Sequence, residues 1–156
     1  MAISDIYTAD TGMVSIATTS QTGLIVLSTA STKRAFIVGV RMKIGVTAAA
    51  AGNDVVFTLA RTGNSPTSAN TVTPRPHDAA SAAALSSALV AAYTIAPTAG
   101  NILAEWVLPQ TTGSMWEEFP PLGYEWVGPI SDQLCVFVTN SVATATPVEA
   151  QLVISE

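Results

Sequence analysis

The segment AFIVGVRMKIGV, residues 35–46, alternates without a break: Phe36, Val38, Val40, Met42, Ile44 and Val46 share one parity, and Ala35, Ile37, Gly39, Arg41, Lys43 and Gly45 the other. Period two over this length admits a long β-strand and disfavours a helix, because successive strand side chains leave on opposite faces. The first parity is wholly apolar and is predicted to enter a core, while the second presents Arg41 and Lys43 to solvent or to a partner. The pattern recurs in NDVVFTLAR (53–61), which places Val55, Phe57 and Leu59 on one face. It recurs again in QLCVFVTN (133–140) and in PVEAQLVISE (147–156), the latter with Val148, Ala150, Leu152 and Ile154 inward. Short links, TAAAAGN between the first two strands and SVATAT between the last two, predict two β-hairpins. LIVLST (24–29), ILAEWVL (102–108), GYEWV (123–127) and MVSIATT (13–19) read as further short strands.

Seven to nine strands with turn residues between them, and no βαβ alternation, predict an all-β chain: one antiparallel β-sandwich of jelly-roll type over residues 1–156. Residues 1–12 read as an N-terminal arm and 62–101 as a long inter-strand excursion. Within that excursion HDAASAAALSSALVAAY leaves two alternatives open. One is a short helix near 78–92, capped by Asp78 and carrying Leu85, Leu89 and Tyr93 on one face. The other is an extended crossing of the sheet edge. A stretch this long is either a functional loop or a contact arm.

Charge limits what such a sandwich can do alone. Only 11% of the residues are charged, against about 25% in an ordinary globular domain, while 49% are apolar. So little charge covers a monomer poorly, and the composition points to a surface that meets other subunits. The charge is also divided: residues 1–75 hold all six basic residues and three acidic ones, a balance of +3, and residues 76–156 hold eight acidic residues and no basic one, a balance of −8. In interleaved sheets this division points to cross-strand or inter-subunit pairing. The longest basic cluster is Lys33-Arg34 and the net charge is −5, which argues against nucleic acid as a partner. No apolar run reaches the roughly 18 residues that span a bilayer, and the N-terminus lacks a basic leader region, so the chain reads as soluble, made inside the cell and without a membrane partner.

Catalytic chemistry finds few materials. His77, the single histidine, stands in the loop sequence Pro-Arg-Pro-His-Asp, and a metal site would need further His or Cys ligands. Cys135, the single cysteine, lies among hydrophobes and reads as an inert buried thiol. Glu117 and Glu118 adjoin Trp116, but neighbouring strand residues face opposite ways and so cannot flank one scissile bond. Phosphate cradles, nucleophile elbows and metal-ligand spacings are absent from the sequence, and no enzyme activity, cofactor or metal is expected.

Trp106, Trp116 and Trp126 recur every ten residues in GNILAEWVLPQTTGSMWEEFPPLGYEWVGP, a stretch holding half of the ten aromatic residues. That spacing fits a β-meander. The rings could be core, interface anchors or a sugar-stacking platform. Trp106 and Trp126, in AEWV and YEWV, are expected to pack inward. Trp116 is expected at a contact, beside a rigid protrusion built on Phe119, Pro120 and Pro121, whose prolines cannot donate to a ladder. Arg41, Lys43, Trp116, Phe119, Pro120 and Pro121 are thus the candidate interface.

The runs RAFIVGVRMKIGV, AGNILAEWVLPQTTGSMWEEFPPLGYEW and VEAQLVISE together resemble capsid decoration (cement) proteins of tailed bacteriophages, small jelly-roll-like sandwiches; the resemblance spans about residues 33–156. It implies a structural virion protein, commonly a homotrimer, made in the host cytoplasm and placed on the outer capsid surface, where it bridges subunits of the major capsid protein. The sparse charge and the long Ala/Ser run depart from that pattern and leave the docking face open. A carbohydrate- or receptor-binding sandwich using the Trp loop, or another tail or head-fitting component, is the alternative.

Overall fold

The computed structural model describes residues 5–45, 54–68, 70–90, 93–110 and 113–156. Its strands are, in chain order, β1 (Ile6–Asp10), β2 (Val14–Ile16), β3 (Thr22–Ser28), β4 (Ala35–Ile44) and β5 (Asp54–Thr62). Short segments follow: β6 (Thr67–Ser68), β7 (Thr71–Val72), β8 (Arg75–Pro76), β9 (Ser87–Val90) and β10 (Tyr93–Ile95). The chain ends with β11 (Ala99–Pro109), β12 (Met115–Glu118), β13 (Trp126–Gly128), β14 (Gln133–Asn140) and β15 (Thr146–Ser155). An all-β antiparallel sandwich results, with no helix among the described residues.

The first sheet has the order β12-β4-β15-β1-β8, with β13 also on β4 and β2 also on β15; the second has the order β11-β5-β14-β3-β9-β7. Neither expected hairpin forms. β4 pairs with β15 and β5 pairs with β14, so each link between consecutive strands carries the chain from one sheet to the other. This exchange of partners is the connectivity of a jelly-roll-type sandwich. Most of the first link, residues 46–53, lies outside the described residues. The physical reason is burial on both faces: Thr58 and Ala60 of β5, and Cys135 and Phe137 of β14, are as covered as their inward neighbours, which favours interior places in a covered sheet.

The inward sets of the two sheets meet in one core. Val40, Met42, Ile44, Val148, Ala150, Leu152 and Ile154 from the first sheet, as expected for β15, pack with Val55, Phe57, Leu59, Leu134, Val136 and Val138 from the second. In β4, however, the alternation reverses. Val153 stands opposite Gly39 and Ile154 opposite Ile37, leaving Val38 as the extra residue of a β-bulge. Ala35 and Ile37 are therefore buried ahead of the bulge, while Phe36, expected in the core, is exposed and Val38 is only partly covered. Val46 lies outside the described residues.

Residues 6–10 are not an arm, since β1 is paired on both sides, with β15 and β8. The described residues of the excursion read over 62–101 take the extended alternative, and from Ala99 the chain is already in β11. Asp78 Oδ1 accepts from Ala80 N at 2.9 Å and closes a turn rather than a helix, and Ser87–Val90 pairs with β3. Alanine favours a helix by only tenths of a kcal/mol per residue; strand pairing that buries Ala88 and Val90 outweighs it, and Leu85 is left exposed. This excursion forms a cover. Leu89 and Tyr93 close a second small cluster, Val26, Ala60, Cys135 and Phe137, on the outer face of the second sheet. The Tyr93 hydroxyl lies 3.2 Å from Leu24 O and 3.0 Å from Leu89 O. At the near end the Glu156 carboxylate accepts from Leu85 N and Ser86 N, each at 2.8 Å, pinning the crossing to the tip of β15.

Phe137→Ala should remove the largest side chain of this second cluster and cost about 3–5 kcal/mol, with faster limited proteolysis inside 62–98. Urea unfolding and mapping of the first cleavage sites check both outcomes.

Candidate functional site

On one side of the sandwich the second sheet ends in β11 and the first ends in β12 and β13. The latter two lie in tandem along β4: Met115–Glu118 opposite Lys43–Val40, and Trp126–Gly128 opposite Ile37–Ala35. They make one edge strand interrupted by residues 119–125. Pro120 and Pro121 lack the N–H that pairing requires, and the gap falls beside the bulge of β4. The ten-residue tryptophan spacing is therefore not a meander, because β11 belongs to the opposite sheet.

Two of the three rings close the space between the sheets. Trp106 of β11 and Trp126 of β13 meet edge to face, with centroids 5.8 Å apart and planes at 85°, a geometry the ring quadrupoles favour. Trp106 Nε1 donates to Glu118 Oε2 at 2.6 Å, a second tie from sheet to sheet. Trp106 is buried and Trp126 half-buried, in line with their expected inward packing. Trp116, opposite Met42 at the sheet edge, remains 51% exposed.

The carboxylates separate by parity as the strand geometry requires. Glu118 turns inward to Trp106, whereas Glu117 faces outward and forms an ion pair with Arg41 directly across the ladder. Arg61 pairs with Asp132, just ahead of β14, so both ion pairs found among the described residues join the basic first half to the acidic second half. Lys43 is exposed between Met115 and Glu149 in register and has no ion pair among the described residues. Glu125 Oε2 accepts from Gly123 N at 2.8 Å, an internal brace rather than a partner for Arg or Lys.

That brace shapes the protruding loop. Gly123 has φ 89°, a left-handed conformation that a side chain would strain, and Tyr124 N donates to Pro121 O at 2.9 Å. The Phe119 ring rests on Gly39, where an added Cβ would come within 2.5 Å of it. Held this way, the loop presents Leu122 at 93% exposure, Tyr124 at 77% and Phe119 at 58%. All six residues singled out from the sequence, Arg41, Lys43, Trp116, Phe119, Pro120 and Pro121, come together at this edge, although Arg41 is engaged by Glu117. The strand expected over 123–127 begins only at Trp126, so Tyr124 joins Leu122 in the loop instead of entering the sheet. The signal for this was the glycine between them directly after Pro-Pro, a turn sequence that delays pairing.

Elsewhere, the exposed His77 has its Nε2 against Thr8 Oγ1, and among the described residues no group of three His, Cys, Asp or Glu is placed to hold a metal ion. Cys135 is buried, and burial pushes its thiol well above the ordinary value of 9.0. Burial likewise raises the phenols of Tyr7 and Tyr93. No protein-family model, curated protein or solved structure matches the chain.

Trp106→Phe should leave the Glu118 carboxylate without its donor and cost about 1–3 kcal/mol in urea unfolding, and Glu118→Gln, which keeps an acceptor, should cost less. The three raised groups hold their protons longer folded than unfolded, so the folded state binds more protons at alkaline pH. Their contribution is complete at neutral pH and is lost as pH rises above 9.0, first through Cys135; urea midpoints across an alkaline series check the sign.

Proposed function

We propose that this chain is a structural virion protein that decorates and stabilises a phage capsid from its outer surface, bridging subunits of the major capsid protein and associating with its own copies, a trimer being favoured. One observation carries the reading: exposed apolar side chains are concentrated at one edge of a sandwich with very little charge. Of the thirteen large hydrophobics exposed among the described residues, one comes from β4, two from β11, two from β12 and three from loop 119–125, eight in all. Patches of this kind mark interaction surfaces. The resemblance of the three sequence runs to decoration proteins supports the same reading.

A capsid repeats one surface by symmetry, so shallow apolar contacts suffice. Each is weak alone, but linked copies engage several at once and gain avidity. A glycan platform has less support, because Trp106 and Trp126 are used between the sheets and only Trp116 remains outside.

Co-sedimentation with shells assembled from the major capsid protein of the same genome tests the proposal. The protein should pellet with the shells and raise their temperature of disruption. Lys43→Glu, on an exposed position outside the core, should weaken pelleting while leaving the circular dichroism unchanged. Failure of the unmodified protein to bind shells, together with a shift of Trp fluorescence on addition of one member of a glycan panel, would replace capsid decoration with sugar binding.

A further inference from the structure

We infer that loop 119–125 of one copy docks on a basic corner of a second copy, formed by Lys33, Arg34 and Ile130. The contact deepens the assembly role proposed above and rests on that reading for self-association, not for the capsid as partner.

The loop is apolar at its tip and acidic around it. Residues 113–128 contain Glu117, Glu118 and Glu125 and no basic residue. Arg41 neutralises Glu117 and Glu118 turns inward to Trp106, so Glu125, next to Tyr124, is the carboxylate that makes the surroundings of the tip negative. The tip is also preformed, by the Pro120-Pro121 pair, the Gly123 turn and the Phe119 ring on Gly39. A preformed apolar tip loses little entropy on docking.

The corner has the complementary character. Two turns are tied together there: Thr29 N donates to Asp132 O at 2.9 Å, Ser131 N to Ala30 O at 3.1 Å, and Thr29 Oγ1 to Pro129 O at 2.5 Å. They display the exposed Lys33 and Arg34, which have no ion pair among the described residues, beside the exposed Ile130. Of the six basic residues, Arg41 and Arg61 are the only ones ion-paired among the described residues.

Charge complementarity selects the occupant. An acidic apolar tip and a cationic apolar corner are both present on one surface, and both are exposed in the same molecule, so they do not satisfy each other within one copy. A second copy supplies each with its counterpart. Tip and corner are different patches, hence the contact is heterologous and closes when rotation brings the last corner to the first tip, giving a ring.

Sedimentation equilibrium on Leu122→Asp, Arg34→Glu and their equimolar mixture tests this. Both side chains are exposed, and circular dichroism verifies that each variant folds. Each variant alone should dissociate with a constant raised more than about tenfold, whereas the mixture should form a heterodimer through its one intact tip and one intact corner. Self-association of the unmodified protein should also weaken as salt is raised, since the corner is cationic. Unchanged assembly of both variants, no heterodimer in the mixture, or a monomeric unmodified protein would overturn the contact. A protein that forms the ring but does not bind shells would instead overturn capsid decoration alone.

Discussion

Everything in this molecule depends on burying one alternating set of aliphatic side chains between two sheets. Met42 and Leu152 on one side, and Leu59 and Val136 on the other, are fully enclosed, and each such side chain contributes about 1.5–3 kcal/mol relative to exposure. Because β4 pairs with β15 while β5 pairs with β14, consecutive strands contribute to opposite sheets. Neither sheet can form from a local hairpin, and the core exists only when both ends of the chain are in place. Such non-local pairing is the kind that folds slowly.

The two sheets differ on their outer faces. The second is roofed by the excursion, through Leu89 and Tyr93, and Glu156 ties that roof to the end of β15. On the opposite side Trp106, Trp126 and Glu118 join the sheets. The chain thus spends its alanine- and serine-rich middle on covering itself, and the apolar surface left over is gathered at β11, β12 and loop 119–125. Under the proposed assembly role, partners would cover that surface, which is also what would make sparse charge tolerable.

The interrupted edge strand shows how one short segment serves both packing and presentation. Glu118 and Trp126 flank the gap and belong to the inter-sheet contact, while Leu122 and Tyr124, between them in sequence, are carried outward. The bulge at Val38 lies beside that gap, and the glycine next to it receives the Phe119 ring. A rigid core contact is therefore only a few residues from the exposed tip, which keeps the tip ordered without a partner. Preorganisation of this kind favours repeated weak contacts.

By itself the sequence determined the long strands at β4, β5, β14 and β15, the period-two faces of β5 and β15, and the all-β class. It also determined that Trp106 points inward, that Glu117 and Glu118 diverge, and that Phe119, Pro120 and Pro121 protrude. Only the tertiary structure decided which strand lies beside which, where β4 changes parity, and what the alanine-rich excursion does. Period two encodes a face but no neighbour, so a hairpin and a crossover read alike. A bulge needs only one extra residue, and Val38 is chemically no different from the valine two positions on. Alanine's local preference for helix is small beside the burial available over β3, a surface that exists only once the second sheet has assembled.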